Sequence, residues 1–285
     1  MEYHIEYWEN MKVVVKMIEA VLKYNFLQNA VYSALMASVV CGIIGTIIVE
    51  KKLVMMSGGI AHTSFGGVGL GYYLNIEPIF GAMFFALLSS VAIVTIRRKT
   101  EVDSDTLIGI MWAMGMSLGI LFISFMKGYP PDMSSYLFGD ILTVTNFDIK
   151  VMLVLVVFVV LAVTALFNQW KAYLFDEEFS YVRGLNTNLY EYFLFILIAF
   201  TVIVLIRVTG IVLIIALLTA PPAMARLFTY NFKNIIFLAI IFGIIFSISG
   251  LWLSYLFNIP SGAAIILLIG TAYFLMASIS QKINA

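Results

Sequence analysis

The sequence predicts an all-α polytopic membrane protein, a bundle of about nine transmembrane helices, with about eight and about ten as the flanking counts. Three observations predict it. Hydrophobic residues are 62% of the 285. Charged residues are only 11%, against roughly 25% in soluble globular chains. The apolar residues also run in blocks of about 20, the length a helix needs to cross the hydrocarbon core. With a mean hydropathy of +1.04, a soluble domain of this length could not hide its apolar surface. Formal net charge is zero, so no basic field invites nucleic acid. The single cysteine excludes an intrachain disulfide and any CxxC zinc or redox motif.

Residues 1–25 read as an amphipathic leader. Lys12, Lys16, Glu19 and Lys23 form one polar stripe, with Val14, Val15, Ile18 and Leu22 opposite. This suits a helix lying on the membrane surface; a frayed polar leader is the alternative. The acidic opening (Glu2, Glu6, Glu9) does not match a cleaved signal peptide.

The predicted spans follow near 26–49, 57–74, 78–96, 107–126, 149–168, 190–208, 210–229, 234–256 and 260–279. They make one membrane domain, residues 26–280. The second span is rich in Gly and Ser, and the seventh is interrupted by Pro221 and Pro222. Alternating spans put Lys51, Lys52, Arg97, Arg98, Lys99, Lys171, Arg183, Arg226, Lys233 and Lys282 on one side. Little more than Lys127 and Lys150 falls opposite. The cation-rich side is expected to be cytoplasmic, with the N-terminus outside and the C-terminus inside. Gly67 and Gly71, like Gly115 and Gly119, form GxxxG pairs that allow close helix packing.

Two connections are longer than the rest, an outer one at 127–148 and an inner one at 169–189. Long connections in a compact bundle usually carry function. In the inner one, Asp176, Glu177 and Glu178 precede Phe179, Tyr181, Val182 and Leu185, and Gly184 can stop a helix. A short helix with exposed aromatics and no core beneath it suits docking of a soluble partner; a helix resting on lipid is the alternative.

An ionisable group inside a membrane is costly, and therefore a functional candidate. His62, in GGIAHTSFGGVGLG, is the only histidine beyond the leader. Imidazole suits zinc, iron or copper. Thr63 and Ser64 beside it could hold water or a partly hydrated ion. The competing reading is a histidine hydrogen-bonded across helices as packing. Asp132, Asp140 and Asp148 lie in the outer connection and would draw cations. Of these, Asp140 sits in the apolar run YLFGDILTV. Arg207 is expected to snorkel, and Asp105 or Ser104 to cap a helix start. Met111, Met114 and Met116 beside Trp112 read as packing. No GxxxxGK[ST], HExxH or GxSxG occurs, so any primary energy must come from a partner or an ion gradient.

Three stretches carry a resemblance. GGIAHTSFGGVGLG, YLFGDILTVT and GIVLIIALLTAPPAMARL, in that order, with Asn258, Pro260 and Gly262 near the last span, are similar to motifs of the membrane subunits of ABC importers for zinc, manganese and iron. The resemblance covers about residues 26–280. It implies a type II ABC-importer-like fold and a homodimer. Two ATP-hydrolysing subunits would dock at Glu177, Glu178, Phe179, Tyr181, Arg183 and Gly184. An extracellular binding protein would deliver the metal, and the chain itself would hold no stable cofactor. His62 takes the place of the family's pathway histidine. The family often has an acidic residue four positions earlier, where this chain has Gly58; the loss favours zinc over oxygen-loving manganese. An ABC permease for iron-siderophore or cobalamin fits less well, because bulky substrates need a wider cavity. An ion-coupled secondary carrier needs intramembrane carboxylates, which the spans essentially lack. An intramembrane enzyme needs more than one histidine.

Overall fold

The computed structural model describes residue 19 and residues 21–100, 102–126, 136–137, 139 and 141–284, with backbone alone for 280–284. Most of the leader, Asp132 and Asp140 lie outside the described residues. Among those described, the regular structure is entirely helical. It comprises α1 (Asn25–Glu50), α2 (Val54–Tyr73), α3 (Pro78–Lys99), α4 (Ser104–Ser124), a 3-10 turn (Ile141–Thr143), α5 (Asn146–Ala165), α6 (Phe167–Phe175), α7 (Glu177–Val182), α8 (Thr187–Phe228), α9 (Phe232–Phe257) and α10 (Ser261–Asn284).

Local chemistry sets the helix ends. Pro78 opens α3, where a missing N–H costs nothing, and Arg97, Arg98 and Lys99 close it against the negative end of the helix dipole. Asp103, not Asp105 or Ser104, caps α4, accepting from the Asp105 and Thr106 amides. Thr145 and Asp148 form a reciprocal capping box at the start of α5. Asn258, at φ 52°, ends α9 in the left-handed conformation.

Among the described residues, seven helices are long and apolar enough to cross a membrane: α1, α3, α4, α5, α8, α9 and α10. The count differs from the expected nine at two places. The α2 helix is 20 residues long, but its glycines and serines keep it below the apolar requirement. The α8 helix counts once although it has 42 residues, a straight length of ~63 Å, about twice the hydrocarbon thickness.

The ion pairs show how so long a segment is accommodated. Glu191, near the start of α8, pairs with Arg97 and Arg98. Arg226, near its end, pairs with Glu50, and the adjacent Lys51 pairs with Glu177, which also meets Arg98. Both ends of α8 therefore lie at the same end of the bundle. Arg207 lies at the other, with Glu77 and Asp148. The chain turns back at Gly210, whose φ of 73° and ψ of 165° leave the helix.

The expected interruption at Pro221 and Pro222 is absent, and the second half of α8 runs through both to Phe228. Proline removes a donor from the carbonyl four residues earlier. For Pro222 that carbonyl belongs to Leu218, and it lies against Gly45 of α1, where an added Cβ would come within 2.3 Å. The α8 hairpin is the centre of the bundle and packs on α1, α2, α3, α5, α9 and α10. Outward stripes such as Phe80, Phe84, Leu88 and Val91 on α3 are exposed, as a lipid-facing surface requires.

Candidate permeation site and coupling surface

The α2 helix, which carries His62, is buried from Met56 to Gly69 and again at Gly71. Its glycines let neighbouring backbones touch it. Gly67 meets the Gly81 carbonyl of α3, Gly66 the Gly115 carbonyl of α4, and Gly69 meets Gly119. Close approach of this kind supplies the van der Waals contact that holds helices together in lipid.

This clamp sets His62 against Trp112 of α4, ring on ring, with centroids 3.8 Å apart and 11° between planes. His62 is 9% exposed, and its Nδ1 is buried without a hydrogen-bond partner. The stack is a packing contact, but the unpartnered nitrogen leaves a lone pair or proton for a ligand. Thr63 Oγ1 donates to the Gly59 carbonyl at 2.7 Å and reaches the Met111 carbonyl at 3.1 Å, tying α2 to α4. Ser64 Oγ donates to the Ala61 carbonyl at 2.6 Å. Both hydroxyl protons are thus directed to backbone. A Cβ added at Gly58 would lie 3.7 Å from Ile215 of α8, an ordinary contact. Among the described residues, no three His, Cys, Asp or Glu side chains converge as a metal site.

At the Arg207 end, Asp148 is largely buried, and its Oδ2 accepts from Thr145 within the capping box. Arg207 lies 3.4 Å from Asp148 and 3.3 Å from Glu77. It bridges the starts of α3 and α5, a role beyond the expected snorkelling. Gly139, at φ 69°, presses against Thr209 and Gly210 at the α8 turn.

At the opposite end, Asp176 caps α7 by accepting from the Phe179 amide at 2.8 Å, and Gly184 follows at φ 86°. This is the short helix expected from the acidic start and the glycine stop. Phe179, Tyr181 and Val182 are exposed, as are Glu178 and Arg183. Glu177 is turned the other way and pairs with Lys51 at 3.0 Å and Arg98 at 3.5 Å. Lys51 Nζ also sits 3.9 Å above the Tyr173 ring. Burial, and then the Glu191 and Glu177 carboxylates, push the Tyr173 phenol up, so it stays neutral.

Sequence reasoning missed Glu191. It is 1% exposed and held between Arg97 and Arg98. Its signal was a lone carboxylate at the start of an apolar run, which must find a cation.

The chain matches the ABC 3 transport family over residues 23–281. It is 40% identical to an uncharacterized membrane protein of Synechocystis sp., over 92% of this chain and 94% of the relative. It is 31% identical to the manganese transport system membrane protein MntC of Listeria monocytogenes, over 93% and 94% respectively. Among solved structures it resembles PsaBC from Streptococcus pneumoniae in complex with Fab. The TM-score there is 0.83, with 31% identity over 92% of this chain and 95% of that one.

Proposed function

Because the chain belongs to the ABC 3 transport family, we propose that it forms the membrane path of an ATP-driven importer for a divalent transition metal. The observation that carries this reading is His62, a buried imidazole with an unpartnered nitrogen on a helix packed between α3, α4 and α8. The metal is cargo and passes His62, with Thr63, Ser64 and Asp140 along the same path. Zinc leads, because imidazole suits it and Gly58 supplies no carboxylate one turn earlier. Manganese is the second reading, favoured by the transport role in the name of the Listeria relative.

In this reading the membrane is crossed about nine times, by α1 to α5, the two halves of α8, α9 and α10. The opposite placement of Arg207 and of Glu191 with Arg226 supports it. The end carrying Lys51, Arg97, Arg98 and Arg226 is cytoplasmic, by the excess of cations there. The ATPase subunit docks on Glu178, Phe179, Tyr181 and Arg183. An extracellular metal-binding protein delivers cargo at the Arg207 end, and a second copy of the chain completes the permease.

The test is cellular metal content by elemental mass spectrometry. Cells expressing the chain with its ATPase and binding protein are compared with cells whose ATPase is inactivated. A rise in one first-row metal, lost with the inactive ATPase, is expected. No ATPase-dependent change in any metal would overturn the reading.

The docking face has its own test. Truncating Phe179 and Tyr181 together to alanine should lower the ATPase subunit that co-purifies by about tenfold or more, as loss of two exposed aromatic anchors does. The yield of the chain itself should not change. Equal recovery of the ATPase would remove α7 from the interface.

A further inference from the structure

Two packed bodies meet in this bundle. Glycine-to-backbone contacts join α2, α3 and α4, through Gly67 with Gly81, Gly66 with Gly115, and Gly71 with Pro78. Contacts of the same kind join α1, α8, α9 and α10, through Gly45 with Leu218, Gly42 with Ile240, and Gly250 with Ile265. Interfaces as close as these do not deform continuously. The α7 helix belongs to neither body by apolar packing. Its only buried residue is Ser180, whereas Tyr181 is 70% and Val182 82% exposed.

What ties α7 to the bundle is charge. Glu177 reaches Lys51 at the end of α1 and Arg98 at the end of α3, one cation from each body. Arg98 also holds Glu191 and Asn188 of α8, and Arg97 meets Glu191 at 3.1 Å. Glu191 is 1% exposed. A buried pair of this kind is weak evidence for stability, since apolar residues could fill the same space. What it supplies is attachment, because a buried carboxylate that loses its cations is left uncompensated, so Glu191 keeps the ends of α3 and α8 together.

We infer that Lys51, Arg97, Arg98, Glu177 and Glu191 form the joint that passes a displacement of α7 to both helix bodies at once. These are positioning residues, and the inference rests on the reading of the chain as an ATP-driven permease. With the joint cut, ATP hydrolysis continues but no longer moves the seam between the bodies.

Two variants cut it at different places. Glu191→Gln removes the buried carboxylate, and Glu177→Gln, at a half-exposed site, frees α7 alone and keeps the test open if the first variant folds poorly. Glu191→Asp retains the charge and should recover part of the effect. The first readout does not depend on transport. Spin labels at Val182→Cys and Lys99→Cys, in the full chain in nanodiscs, report the distance from α7 to α3; the native Cys41 is buried. A narrow distribution in the native chain should broaden in both Gln variants. An unchanged distribution would overturn the joint.

The second readout is metal moved per ATP hydrolysed by the reconstituted transporter. It should fall about tenfold in both Gln variants, within the range by which coupling residues act. A native ratio in both would also overturn the joint. If the labels respond but the native complex moves no metal on ATP, the joint stands and the transport reading falls.

Discussion

Replacing His62 should leave a folded, inserted chain that has lost about 100-fold in metal transport, the upper end of what altering a metal site costs. The informative substitution is His62→Phe. Phenylalanine keeps a flat ring to stack on Trp112, where the imidazole now lies at 3.8 Å and 11°, but it brings no nitrogen. Because Nδ1 has no hydrogen-bond partner, its removal orphans no neighbour, and the stability cost should be small. His62→Ala loses the stack as well and should cost a further ~1 kcal/mol, the worth of an aromatic pair beyond its area. Uptake into cells or vesicles and thermal unfolding of the purified chain separate the two effects. Native uptake by His62→Phe would make the residue a packing element, and the proposed path would lose its centre.

Gly67→Ala should be among the most destabilising single-methyl additions in the chain. The new Cβ would stand 2.0 Å from the Gly81 carbonyl oxygen, with backbone on both sides and no flexible side chain to yield. The helices must separate, and because the same face also holds Gly71 against Pro78, the strain spreads along α2. Overpacking of this kind costs ~3 kcal/mol or more when backbone has to move. Gly109→Ala is the control. Nothing lies within 4 Å of an added Cβ there, so the substitution should be neutral or stabilise by up to ~1 kcal/mol through helix propensity. The midpoint of thermal unfolding in detergent distinguishes them. If Gly67→Ala unfolds with the native chain, the α2–α3 contact is looser than the distances imply.

Much of this was legible from one sequence, because hydropathy and helix punctuation are local properties. Each predicted span falls within or against a helix, and the boundary expected between residues 208 and 210 lies at the Gly210 reversal. Gly67, Gly71, Gly115 and Gly119 are all packing contacts. Asp176 and Gly184 bound α7 as the acidic start and glycine stop require. Pro221 and Pro222 misled, because a proline's effect depends on its tertiary surroundings, and the Leu218 carbonyl that Pro222 frees lies against Gly45, a residue of another helix.

The sequence by itself determined that the chain is helical, that it belongs in a membrane, and roughly where most of its helices lie. Those follow from apolar runs, capping residues and composition, all read within about 20 neighbouring residues. Only the tertiary structure decided which charges neutralise one another. Glu177 looks like a solvated docking residue in sequence, yet it is drawn to Lys51, 126 positions away. Arg207 looks like a snorkelling cation, yet it joins α3 to α5 through Glu77 and Asp148. A charge in an apolar surrounding must be paired wherever packing brings a partner, and packing is a property of the whole bundle.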